Sequence, residues 1–190
     1  MVLMFSSGCT RQETRDEETT VHQGDTVTID FTGWLEDENN TVVMTTDINT
    51  AKEEELYVLG NIYQPYTFTV GDEHVYPGLN EGMIGMVIGV TKTITIPPEK
   101  GAGMPMEELF VHIPLSEAQL FSRGVPSVGS QIVLNEATLS NYTGLLIPDP
   151  YMKGRVVQVN DTHILVDFNY PYTGKTIILE ITVRSILRDT

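Results

Sequence analysis

The sequence predicts an α+β protein, and three observations carry that reading. Segments with strand-like alternation stand near both ends, at residues 24–33 and 176–183. Between them a short helix is punctuated by Pro77, Gly78, Gly82, Gly85 and Gly89. A second set of short strand segments, within residues 108–168, interrupts the first and forms a small β-rich insertion of its own.

Each element follows from local signals. Val27, Ile29 and Phe31 alternate onto one face, the pattern of a half-buried strand. Residues 36–40 are a polar turn and 41–45 return as a second strand. Residues 50–59 read as a short helix started by Thr50, with Glu53 completing a capping box. The strand 66–70 follows Gln64-Pro65. Gly71 lets the chain leave it, Pro77-Gly78 open the central helix over 78–84, and Gly85 and Gly89 turn it into the strand 92–96, which stops at Pro97-Pro98. The insertion offers strands at 108–113 and 131–134, a helical turn at 116–121, and a hairpin in which 155–159 and 163–168 flank Asn160-Asp161. Its middle, residues 135–151, is rich in Gly, Pro and Asn and reads as an extended loop. A small antiparallel sheet with one helical element is the result.

Three ordered motifs together resemble the FKBP family of peptidyl-prolyl cis-trans isomerases. They are the opening strand Gly24-Asp25-Thr26-Val27-Thr28-Ile29-Asp30-Phe31-Thr32-Gly33, the glycine-punctuated stretch from Val70 to Gly89, and a closing segment. That closing segment, Val166-Asp167-Phe168-Asn169-Tyr170-Pro171-Tyr172-Thr173-Gly174-Lys175 with the strand after it, is similar to the SlyD-like branch. Members of that branch carry an insert-in-flap domain where this chain has its long insertion. The resemblance implies an FKBP-like twisted antiparallel half-barrel around the short helix, built from residues 21–103 and closed by 168–190, with an insert-in-flap domain at 104–167. Residues 1–20 remain as an N-terminal tether.

It also implies a site. An X-Pro bond isomerises slowly because amide resonance must be broken, over a barrier of about 18–20 kcal/mol between states that differ by only about 0.5–1 kcal/mol. No nucleophile is required. A dry apolar cup that grips the ring and favours the twisted amide suffices. Carried onto this chain, the family's cup is lined by Phe31, Met44, Tyr66, Val75, Tyr76, Leu79, Ala102 and Leu179, with Tyr172 at the rim. Phe68 and Ile181 read rather as core. Three polar handles of the family pattern are replaced: Phe31 stands for a tyrosine, Met44 for an aspartate, and Gly101-Ala102-Gly103 has no phenol. The expected function is isomerisation of X-Pro bonds in unfolded or extended polypeptides, with catalysis weakened and client chains held by Leu109, Leu145, Leu146 and Ile147 of the insertion. The alternative is a noncatalytic chaperone or peptide-binding module on the same fold.

Composition sets the remaining limits. In 190 residues, 26 acidic against 11 basic side chains give a formal charge of -15, which disfavours nucleic acid and anionic membranes as partners. His22, His74, His112 and His163 are scattered without metal-ligand spacing, so no cofactor is expected. Cys9 is the sole cysteine and excludes an internal disulfide. An apolar run ending in small residues precedes it, like the tail of a lipoprotein signal. Two readings stay open: a lipid-anchored, extracytoplasmic or cell-surface protein, or a cytoplasmic one with an ordinary frayed N-terminus. A monomer is expected.

Overall fold

The computed structural model describes residues 19–121, 126–146, 151–169 and 171–188. The chain divides into two compact units, one running to Gly103 and resuming at Gly174, the other formed by Met104–Thr173. The departure and return of the first unit are tied directly, since the Gly174 N–H donates to the Gly103 carbonyl at 2.7 Å.

The first unit is a curled antiparallel sheet of five strands. Its strands are β1 (Thr26–Leu35), β2 (Val42–Thr45), β3 (Tyr66–Thr69), β4 (Thr91–Ile96) and, after the second unit, β9 (Ile177–Leu187). β1 and β9 are the two longest and pair along their whole length. One edge of β1 is shared: β3 pairs with Thr26–Ile29 and β2 with Thr32–Trp34. β4 covers the far edge of β9. Irregular register at Thr28/Ile29 and at Gly33/Trp34 bends β1 where it changes partners.

The two faces of this sheet differ in chemistry. Cross-strand threonine hydroxyls pair on one face, Thr28 with Thr67 at 2.9 Å, Thr32 with Thr45 at 2.9 Å and Thr91 with Thr182 at 2.7 Å. The other face buries Val27, Ile29, Phe68, Ile94, Ile96, Leu179, Ile181 and Val183. Helix α2 (Pro77–Met83) lies against that face through glycine. A Cβ on Gly82 would stand 2.6 Å from Ile94 Cγ2, so only a glycine lets the helix approach β4 this closely. Buried Asp25 pins the chain ends, accepting from Arg188 Nε at 2.9 Å and from the His22 N–H at 2.8 Å.

Helix α1 (Ile48–Glu53) is shorter than expected, and its cap is not Thr50. Asp47 accepts from the N–H groups of Asn49 and Thr50 at 2.9 and 2.8 Å, a carboxylate taking the position that the hydroxyl was expected to hold.

The second unit is a four-stranded antiparallel sheet in the order β5-β8-β7-β6. These strands are β5 (Phe110–Pro114), β6 (Gln131–Asn135), β7 (Tyr151–Val159) and β8 (His163–Asp167). Helices α3 (Leu115–Phe121) and α4 (Glu136–Thr143) accompany them. The expected loop over 135–151 is thus corrected: Asn135 caps a helix by accepting from the Thr138 N–H at 2.8 Å, and Gly144 ends it at φ +71°. Val111, Ile113, Ala118, Ile132, Leu134, Leu139, Val156, Ile164, Val166 and Phe168 form one core. Asn169 closes the unit by accepting from the Met106 N–H at 2.7 Å and donating to the Met106 carbonyl at 3.3 Å.

Candidate active site

Curling leaves the concave face of the first unit incompletely filled. Beside α2 there is a cavity of about 160 Å³ lined by Phe31, Met44, Tyr66, His74, Val75, Tyr76, Leu79 and Leu179. Phe31 comes from β1, Met44 from β2, Tyr66 from β3 and Leu179 from β9. Val75 and Tyr76 precede α2 and Leu79 lies within it. Pockets for drug-sized ligands run to about 300–1,000 Å³; this one has room for a single small ring.

The walls are ordered by packing. The Phe31 and Tyr66 rings meet edge to face at 6.4 Å, and Tyr66 stacks on buried Phe68 at 5.5 Å. Val75, Leu79 and Leu179 are buried, which places apolar carbon at the base. Gly33 permits that base: a Cβ there would stand 2.5 Å from Leu179 Cδ2 and 2.8 Å from Met44 Cγ, two lining side chains. The turn before α2 is held by Asn80. Its Oδ1 accepts from the Gly71 N–H at 2.7 Å, and its Nδ2 donates to the carbonyls of Asp72 at 3.0 Å and Val75 at 3.3 Å. Asp72 in turn accepts from the His74 N–H at 2.8 Å and faces its Nδ1 at 2.9 Å. These contacts, the backbone N–H first, hold the Asp72 carboxyl below its ordinary range.

Of the residues expected at the cup, the structure brings together Phe31, Met44, Tyr66, Val75, Tyr76, Leu79 and Leu179. Ala102 lies in the turn after β4 and is not among the lining residues, and Tyr172 belongs to the second unit. Three participants escaped sequence reasoning. His74 and Asn80 sit inside the quoted glycine-rich stretch, and Gly33 ends the opening motif, but their roles depend on contacts made only in the fold. In the second unit, Leu109 and Leu145 pack partly buried against its core, whereas Leu146 is 90% exposed. Ile147 and Cys9 lie outside the described residues.

A larger cleft of about 460 Å³ also belongs to the first unit, and Asp30, Thr32, Asp47, Glu180, Thr182 and Arg184 contribute to its lining. Asp30 and Arg184 are paired there. A proline ring would displace hydration from these polar groups without replacing it, so the smaller apolar cavity is the better match. Among the described residues no three His, Cys, Asp or Glu side chains gather to hold a metal ion. No described helix is long and apolar enough to cross a membrane.

Comparison with known proteins points to one family. Residues 17–105 match the family model of the FKBP-type peptidyl-prolyl cis-trans isomerases. The chain is 30% identical over 166 residues to a short-type peptidyl-prolyl cis-trans isomerase of Methanocaldococcus jannaschii, covering 87% of this chain and 94% of that protein. It is 26% identical to the FKBP-type 16 kDa peptidyl-prolyl cis-trans isomerase of Escherichia coli, over 65% of this chain and 74% of that one. A more distant likeness, 23% over 63% of this chain and 58% of the relative, is to the SlyD isomerase of Helicobacter pylori.

Proposed function

The chain belongs to the FKBP-type peptidyl-prolyl cis-trans isomerase family and is an isomerase of that kind, and from that premise we propose that the reaction takes place in the apolar cup of the first unit, on X-Pro bonds of unfolded or extended polypeptides. One observation carries the assignment: eight residues from four strands and the α2 region converge on a cavity sized for one small ring. Phe31, Tyr66 and Tyr76 grip the ring edges, while Val75, Leu79 and Leu179 form the apolar base. Burial contributes about 25 cal/mol per Å² removed from water. Exclusion of water disfavours the planar, strongly dipolar amide relative to the twisted one, which is where rate is gained.

In our reading this cup works at reduced rate. Phe31, Met44 and Ala102 replace groups that hydrogen-bond substrate in the family pattern, and each lost bond forfeits about 0.5–1.5 kcal/mol. Exchange NMR on a blocked Ala-Leu-Pro-Phe peptide is the direct test. Faster cis/trans interconversion is expected. Line broadening from binding with an unchanged rate would overturn catalysis in favour of a noncatalytic peptide-binding module.

We assign client capture to the second unit, as a SlyD-like insert-in-flap domain. Exposed Leu120, Leu146 and Tyr151 support this, because they offer apolar contact outside the unit's own core. Leu146→Ser should leave stability within about 0.5 kcal/mol while weakening suppression of aggregation of an unfolded client; undiminished suppression would sink the assignment. Lipid attachment at Cys9, with an extracytoplasmic location, completes the proposal, and the intact mass of the protein purified from its native membrane fraction tests it.

A further inference from the structure

We propose that His74 is the polar contact of the apolar cup: its Nε2 accepts the backbone N–H of the residue that follows the substrate proline. The inference rests on the reading that the cup holds the proline of an X-Pro peptide.

The tautomer follows from the neighbours. Asp72 is held ionised through its bonds with His74, and an ionised carboxylate only accepts hydrogen bonds. The His74 Nδ1, 2.9 Å from Asp72 Oδ1, therefore carries the hydrogen. In the neutral ring, Nε2 is then the lone-pair nitrogen, an acceptor. Among the described residues no partner engages it. Although the side chain is 83% exposed, Asp72 and the Asn80 clamp on the turn fix where the ring stands.

The substrate supplies a matching donor. Proline has no N–H, so the first backbone donor on its C-terminal side is the N–H of the next residue. In the proposed pose, with the ring seated in the cup, that group leaves the cavity on the side of His74, an exposed residue of the lining. Asp72 is the charged group touching His74, Glu73 flanks it in the turn, and Tyr66 from β3 and Tyr76 before α2 are the other titratable groups lining the cup. No second imidazole lines it.

The test is binding of acetyl-Ala-Leu-Pro-Phe-amide, followed by NMR at pH 7.5, to the full chain and to His74→Gln and His74→Leu. Glutamine keeps an acceptor; leucine removes it. At pH 7.5 the parent protein and His74→Gln should bind alike, with His74→Leu weaker by about two- to tenfold, the range one hydrogen bond gives. A peptide N-methylated at phenylalanine should bind all three equally. Equal affinity of the three proteins for the unmethylated peptide would overturn the role of His74 and leave the cup intact. Failure of all three to bind would overturn the cup reading itself and this inference with it.

Discussion

Each of the two units buries an apolar core, but they finish the task differently. In the second, α3 and α4 contribute Ala118 and Leu139 to the same core as the strand residues. In the first, a curled sheet faces one helix of seven residues. Glycine lets that helix settle tightly against Ile94 and Ile96 of β4, and the part of the concave face beyond it remains open as the cup. A site here is a place where packing stops short, walled by side chains that are themselves held by the core.

The strongest way to break this comparison is to destroy one unit's core and watch the other. Phe168 is 1% exposed and central to the second unit. Phe168→Ala should cost about 3–5 kcal/mol through lost burial and the cavity left behind. Chemical denaturation followed by tyrosine and backbone NMR signals should show Met104–Thr173 unfolding first, while a short blocked X-Pro peptide still binds the cup. Parallel loss of peptide binding would show that the cup depends on the second unit.

A matched pair of glycines sharpens the contrast. A Cβ on Gly33 would meet Leu179 at 2.5 Å and Met44 at 2.8 Å, while a Cβ on Gly154 would meet Val166 at 2.5 Å and Phe168 at 2.8 Å. Either alanine forces similar overpacking, about 1–3 kcal/mol of stability. Only Gly33→Ala moves side chains that line the cup. It should slow peptide isomerisation about tenfold, equivalent to about 1.4 kcal/mol of barrier, whereas Gly154→Ala should leave that rate unchanged.

Much of the fold was legible because half-buried strands write themselves as alternation and their ends as glycine or proline. Val27, Ile29 and Phe31 marked β1, and Gly85 and Gly89 marked the exit from α2. Helix α4 was hidden for a physical reason: Leu139 is its one buried residue, so no apolar stripe distinguishes it, and only Asn135 as cap and Gly144 as terminator betray it. Asp47 displaced Thr50 as the cap of α1 because its carboxylate takes the N–H groups of Asn49 and Thr50, which starts the helix earlier and places Thr50 inside it. At the cup, the aromatic and aliphatic lining was read through resemblance to a family. His74 and Gly33 were not, because their meaning lies in what stands opposite them, Asp72 across a turn and Leu179 on the paired strand β9.

The units should also differ at opposite ends of the pH scale, with the smallest effect of the set. Arg188, chiefly through its hydrogen bond, holds buried Asp25 below the usual carboxylate range. A depressed folded pKa means that the stabilisation is present above the unfolded value, near 3.9, and disappears as pH falls through the folded one. Asp25→Asn should therefore weaken the first unit at neutral pH, by about 1–2 kcal/mol once the partial exposure of Arg188 is allowed for, and should flatten its acid unfolding. Tyr142 in the second unit behaves oppositely. Burial first, and then its bond to Glu117 at 2.5 Å, push its phenol up to about 12. A raised pKa means stabilisation present below the unfolded value near 10 and lost as pH climbs from there toward 12. Tyr142→Phe should blunt alkaline unfolding of Met104–Thr173 and leave the acid limb of the first unit untouched. Residue-resolved NMR across both limbs would show it, and a shift of both units in either variant would mean that they unfold as one.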